Sequence, residues 1–223
     1  MPVSSIFLSK PVRRTPNFGY NITMRIIAHL DLDAFFCAVE ELHTPALRGK
    51  PFAVGGRPEG RGVVASCSYP ARMQGVHSAM PMAQALRLCP NLQIIPHRFG
   101  AYSEASSKVM AKIHAVSELV EQISIDEAFF DLSDKTDAKR IARDLQLDIY
   151  QTLHLPSSIG IATNKLVAKI ANDFGKSKKR DGTPPRAFTL VPAGEEAAFL
   201  APLAVTKLWA WDQRLPKDLR NWA

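Results

Sequence analysis

Four carboxylates fall in two tight pairs. Asp31 and Asp33 sit in "HLDLDAFFCAVE", where an apolar run that begins at Met24 gives out, and Asp126 and Glu127 sit side by side in "ISIDEAFFDLS". The second stretch alternates apolar and polar residues as a strand does. Adjacent strand residues point to opposite faces, so one member of the Asp126–Glu127 pair is directed inward. If the strands carrying the two pairs are neighbours, Asp31, Asp126 and Glu127 meet at their ends. Three carboxylates in one place repel, which raises pKa values or disrupts the site unless cations lie among them. Carboxylate and carbonyl oxygens suit Mg²⁺, which keeps water and phosphate oxygens as further ligands. Two such ions about 3.5–4 Å apart can activate an attacking hydroxyl and neutralise a leaving pyrophosphate in an in-line displacement. The plainer alternative is that Asp126 caps a turn and Glu127 is solvated.

The elements that must position these groups follow from the pattern. "MRIIAHLDL" reads as a strand and "FFCAVEEL", 35–42, as a helix, with "HTPALRGKP" as a turn-rich link. "PFAVGG" and "GVVASCS" read as short strands joined by the Gly-rich turn "GGRPEGRG", and with helices at 69–75 and 81–88 they make 50–95 a small α+β insert. A helix follows over "AYSEASSKVMAKIHAVSELV", then two strands around Asp126 and Glu127 and a helix at about 136–153. The strand "SSIGIA" and the helix "NKLVAKIANDF", capped by Asn164, come last. Without the insert the order is β-α-α-β-β-α-β-α. That predicts an α+β fold with a mixed or antiparallel sheet close to the ferredoxin-like pattern and helices packed on one face.

Composition bounds the partners. The chain has 223 residues, 46% of them hydrophobic and 22% charged, which excludes a disordered chain and allows one large domain or two small ones. Its 28 Lys+Arg against 21 Asp+Glu, a formal charge of +7, favour a polyanionic partner without identifying one. Cys37, Cys67 and Cys89 are odd in number and lack a C-x-x-C spacing, so they read as reduced core thiols of a cytoplasmic protein. No apolar run approaches the roughly 18 residues of a membrane span. The first 23 residues lack a continuous apolar core and an A-x-A site, which argues against a secretory signal; they read as a disordered arm or as an upstream start placed before Met24.

"HLDLDAFFCAVE", "SYPARMQGVHSAMP", "SIDEAFFDLS" and "SIGIATNKLVAKIANDFGK" resemble, in order and spacing, the motifs of Y-family translesion DNA polymerases, most closely the DinB or DNA polymerase IV type. The resemblance runs from Met24 to about Trp209. It implies a palm at 24–49 and 98–209 with fingers at 50–97. It further implies that Asp31 and Asp126 bind two Mg²⁺ ions, with Glu127 and the Leu32 carbonyl completing the site. Phe36 resembles the steric gate against which a ribose 2′-OH clashes; its alternative is an ordinary core aromatic. Tyr69 and Arg72 fall where the family grips the incoming triphosphate, a task suited to the planar donor fork of Arg, and Ser66 falls where a hydroxyl touches the same phosphates. Lys176 occupies the phosphate-contacting lysine of the family's K-P-x-G turn, here expanded to "KSKKRDG"; its alternative is a solvated loop lysine. Implied partners are primer–template DNA and dNTP, a sliding clamp for a full-length parent, and no membrane; a monomer is expected.

The end of the chain departs from the family, whose palm leads into a thumb and a little finger. In place of the expected "LWGVGPKT", the sequence reads "LWAWDQRLPKDLRNWA". A DNA that encodes "GVGPKTAERLAQLG" encodes "AWDQRLPKDLRNWA" once a single G is deleted, so residues 210–223 are expected to be a frameshifted tail. Two functions from different classes follow: a translesion-type DNA polymerase, or a nucleotide- and DNA-binding remnant without turnover. A palm-like nucleotide cyclase is disfavoured by the insert that carries Tyr69 and Arg72.

Overall fold

The structure, a computed structural model, describes residues 24–204. The expectations for residues 1–23 and 210–223 lie outside them. Strand β1 (Ile27–Leu32) leads into α1 (Phe35–His43); β2 (Phe52–Gly55), β3 (Val64–Cys67), α2 (Tyr69–Met73), α3 (Met82–Leu88) and β4 (Gln93–Ile95) follow. After them come α4 (Phe99–Val116), β5 (Val120–Gln122), β6 (Glu127–Asp131), α5 (Ala138–Leu153), β7 (Ser157–Ala162), α6 (Lys165–Ser177), β8 (Phe188–Leu190) and α7 (Glu196–Leu200).

The main sheet has the order β5-β6-β1-β7-β8, with β1 antiparallel to both β6 and β7 and β8 parallel to β7. Its first four strands have the ferredoxin-like arrangement, and β8 extends them into a mixed sheet. A smaller sheet, β3-β2-β4, carries α2 and α3 around Ala53, Val64, Cys67, Met82 and Cys89. Helix α1 packs against β2 and β3 and ties the two bodies together.

Alternation along β1 sorts its side chains. Ala28, Leu30 and Leu32 join Ala128, Phe130, Ile159 and Ile161 under α4 and α5 in the larger core. Ile27, with Phe129 and Ala162, meets Val167, Ala168 and Ala171 of α6 on the opposite face. Helices therefore cover both faces of the sheet, where the sequence pattern suggested one. The reason lies in β7, all six of whose residues are buried, so that it needs cover on each side. A Cβ on Gly160 would overlap the Ala168 carbonyl oxygen and come within 2.5 Å of the Asn172 nitrogen, so the absent side chain is what lets α6 lie this close.

Three elements lie outside the expected pattern: β4, β8 and α7, each too short to show a period. Helix α4 also ends earlier than its apolar spacing suggests. Ser117 adopts an extended conformation and its hydroxyl donates to the Asp131 carbonyl at 2.7 Å, which turns the following residues into edge strand β5. Asn164 caps α6 by accepting from the Val167 N–H at 2.9 Å. Cys37, Cys67 and Cys89 are buried and unpaired. Among the described residues no helix is long and apolar enough to cross a membrane.

Candidate active site

The register of β1 against β6 sets Asp31 opposite Glu127, with both side chains on the α6 face. The Leu32 N–H donates to the Asp126 carbonyl at 2.9 Å, which draws the β5–β6 turn against the end of β1. Ser124 shapes that turn. Its hydroxyl donates to Asp126 Oδ1 at 2.5 Å and accepts from the N–H groups of Asp126 and Glu127 at 3.3 and 3.2 Å. The link from β1 to α1 passes through Ala34 in the left-handed region, with φ 48°, and this places Phe36 in the first turn of α1. The Phe36 ring stacks on Tyr102, centroids 4.4 Å apart. Asp33, the fourth carboxylate, is an internal strut: it accepts from the Ser158 hydroxyl at 2.8 and 3.0 Å and from the Arg186 N–H at 2.9 Å.

The facing wall comes from the small sheet. Ser68 caps α2, Arg72 Nε donates to the Cys67 carbonyl at 3.1 Å, and the Arg72 guanidinium lies 5.3 Å from the Tyr69 ring centroid. Between the walls is a cleft of about 230 Å³ lined by Asp31, Leu32, Phe36, Ser66, Tyr69, Arg72, Asp126 and Lys176, along with Asp33 and Ala34. Eight of the nine residues selected from the sequence thus meet in one place, from β1, α1, β3, α2, the β5–β6 turn and α6. The ninth, Glu127, does not line the cleft. Lys176 belongs to the last turn of α6 and not to a solvated loop.

Ammonium groups hold the carboxylates. Lys176 Nζ lies 2.5 Å from Asp31 Oδ1 and 4.0 Å from Asp33 Oδ1, and Lys169 Nζ lies 2.6 Å from Glu127 Oε2. Among the described residues no three His, Cys, Asp or Glu side chains are gathered as a ready metal site, so the three-carboxylate cluster expected from the sequence is not closed. Two of the acids are instead paired with lysines of α6, which offsets their mutual repulsion. Among the described residues Asp126 has no such partner. Burial, with the neighbouring Asp31 and Glu127 charges adding to it, pushes its carboxyl above the usual range. Burial also raises Asp33, against the pull of Lys176, and raises the Tyr69 phenol. His29 is pushed down to about 3, first by burial and then by Lys169.

Sequence reasoning gave no role to His29, Lys169, Asn172 or Ser158. A signal was present for three of them: His29 lies two residues before Asp31 on one strand face, and Lys169, Asn172 and Lys176 recur at helical spacing on one face of α6.

A family model described as impB/mucB/samB matches residues 30–173, from β1 into α6, and so spans most of the chain. The chain belongs to the impB/mucB/samB family. Within it, this member is 44% identical over 191 residues to a DNA polymerase IV of Pseudomonas putida strain GB-1, an alignment covering 84% of this chain and 52% of that protein. A DNA polymerase IV of Listeria monocytogenes serotype 4a is 42% identical over 191 residues, covering 84% and 51%. The chain spans about half the length of the curated relatives it matches. Among solved structures, DinB from Sulfolobus solfataricus superimposes with a TM-score of 0.78 at 29% identity, over 87% of this chain and 56% of that one. An insertion ternary complex of Dbh DNA polymerase gives the same TM-score, identity and coverage. The expected likeness to the DinB and DNA polymerase IV type holds in sequence and in fold.

Proposed function

We propose that this chain forms the nucleotidyl-transfer body of a translesion-type DNA polymerase that joins a dNTP to a primer 3′-OH on a DNA template. Residues 24–49 and 98–209 act as palm and 50–97 as fingers. The observation that carries the reading is the cleft itself, lined by acidic Asp31 and Asp126, by Tyr69, Arg72 and Ser66 from β3 and α2, and by Lys176 and Phe36.

The donor set fits divalent cations. Asp31, Asp126 and the Leu32 carbonyl offer hard oxygens among the residues lining the cleft, Glu127 stands opposite Asp31 in the strand register, and burial beside two other acids raises the Asp126 carboxyl. Two Mg²⁺ ions, when bound, would supply an activated hydroxyl nucleophile and countercharge for pyrophosphate. The chain's own residues do the rest. Arg72 presents a forked donor to phosphate oxygens, with Tyr69 and Ser66 adding hydroxyl donors. Lys176, once released from Asp31, reaches the same phosphates. Phe36, braced by Tyr102, excludes a 2′-OH.

The proposed partners are dNTP and primer–template DNA, in a monomer working in the cytoplasm, with a sliding clamp joining a longer parent. A second reading, nucleotide and DNA binding without turnover, draws on the lysine-paired state of Asp31 and Glu127. Primer extension by the chain, alone and with an added little-finger domain, separates the two. Extension that Asp31→Ala or Asp126→Ala abolishes supports the polymerase, extension that survives both refutes the metal assignment, and Mg²⁺-dependent dNTP binding without extension leaves the second reading.

A further inference from the structure

We propose that His29 is a positioning residue for the Glu127 carboxylate, locked by Asn172 into the tautomer that carries its proton on Nε2. The task given to Glu127 rests on the polymerase reading above; the tautomer does not.

His29 is fully buried in the middle of β1, on the face that α6 covers. Its ring lies 4.6 Å from that of Phe129, at 50°. Asn172 approaches from α6, and its Nδ2 lies 3.2 Å from the His29 carbonyl oxygen and 3.1 Å from the Ser158 carbonyl oxygen. Carbonyl oxygens only accept, so both contacts require the amide nitrogen at that position and fix the orientation of the side chain. The same Nδ2 lies 3.0 Å from His29 Nδ1. A proton on Nδ1 would be set against the amide hydrogens, which are shared between Nδ1 and the two carbonyl oxygens, so Nδ1 presents its lone pair. A neutral imidazole has one N–H, so the proton sits on Nε2, which lies 3.2 Å from Glu127 Oε2 and donates to it.

The alternative is that His29 only fills the core. A space-filling role needs no particular tautomer, and it leaves unexplained why the Asn172 carbonyl oxygen is buried with no partner among the described residues while the two amide hydrogens are shared among three acceptors. The arrangement keeps the donor end engaged, and the donor end is what sets the histidine. His29 and Lys169 then converge on the same oxygen of Glu127. With Oε2 engaged twice, the rotation of the carboxylate is fixed, and Oε1 is the oxygen offered beside Asp31. Buried histidine–carboxylate pairs that orient ligating groups in this way typically alter metal affinity by about 10–100-fold when broken.

Two measurements on the full chain test this. Long-range ¹H–¹⁵N correlation of the His29 imidazole at neutral pH is expected to show Nε2–H with an unprotonated Nδ1; an Nδ1–H or doubly protonated ring overturns the proposal whatever the enzyme does. Binding of a non-hydrolysable dNTP analogue titrated with Mg²⁺ then separates positioning from filling. His29→Leu should weaken it about tenfold or more while His29→Gln, which keeps a donor towards Glu127, stays within about threefold of wild type, both checked for native fold by circular dichroism. Equal losses in the two variants, or none in either, overturn the positioning role alone. Absence of Mg²⁺-dependent binding in the wild type overturns the nucleotide reading and, with it, the task assigned to Glu127. Should His29→Leu fail to fold, Asn172→Ser gives the same comparison: retained Nε2–H with unchanged binding overturns the lock, and a mixed tautomer with weakened binding supports it.

Discussion

Replacing Gly160 by Ala tests whether the spacing of α6 over β7 sets the site. The added Cβ would lie 2.5 Å from the Asn172 nitrogen and 3.0 Å from its Cβ, and would overlap the Ala168 carbonyl oxygen. Ordinary carbon–oxygen contacts are about 3.3–3.6 Å, and the obstructing atoms are backbone, so the helix must retreat. Retreat opens the small core in which Val167, Ala168 and Ala171 pack on Ile27, Phe129 and Ala162. Overpacking of this kind costs about 1–3 kcal/mol, and the upper end applies because no flexible side chain can yield. Against it stands a gain of about 0.4–1 kcal/mol from stiffening the unfolded chain. Packing wins, leaving a net loss of about 2 kcal/mol by denaturant unfolding. In a chain of this size that lowers the thermal midpoint by about 4–8 °C. Gly100→Ala is the control: a Cβ there meets nothing within 4 Å, and α4 should gain about 0.5–1 kcal/mol. A Gly160→Ala midpoint equal to or above wild type, with the same denaturant slope, would refute the close-approach reasoning.

Three other outcomes are expected. Phe36→Ala should raise incorporation or binding of ribonucleotides relative to deoxyribonucleotides; an unchanged ratio returns Phe36 to the core role its stacking on Tyr102 also allows. Ala34→Gly should stabilise the chain by up to about 1 kcal/mol, since φ 48° carries a steric cost for any residue with a Cβ, and a loss of stability in urea unfolding would show that the turn is not strained. Acid should destabilise the fold through His29, which takes a proton at about 6.5 when unfolded and only near 3 when folded. Its contribution is complete above pH 6.5 and is lost as pH falls toward 3, about 2 kcal/mol by pH 5. Asp31, Glu127, Lys169 and Lys176 surround it, so the measurement is the difference in pH slope between wild type and His29→Gln; identical slopes would contradict the shift.

Much of this was legible in the sequence, for reasons particular residues make plain. The run 24–32, the helix opened by Asn164 and the pair Asp126–Glu127 each carry their signal within a few residues, as local period, cap chemistry and hairpin do. β8 and β4 did not, because three residues have no period and both are strands only by pairing with β7 and β2. Nor did the second helical layer. It depends on Gly160, whose meaning appears only when Ala168 and Asn172 stand opposite it. The cleft was legible as a set of residue types and not as a charge state: the sequence suggests three acids around cations, while the fold pairs two of them with lysines from α6.

That pairing bears on how one helix serves the site. Lys169, Asn172 and Lys176 lie along one face of α6 and meet Glu127, His29 and Asp31 respectively. Unpaired, Asp31 and Glu127 would face each other across the β1–β6 register as like charges, a destabilising cross-strand pair. The two ammonium groups offset that repulsion and let the strands close. Lys176 lies in the last turn of α6 and is partly exposed; in the proposed function it exchanges Asp31 for phosphate oxygens. Lys169, less exposed than Lys176, and the buried His29 both contact Glu127 Oε2. The same helix therefore supplies a lysine to each of the two facing acids, and Gly160, beneath it, fixes how near both of them stand.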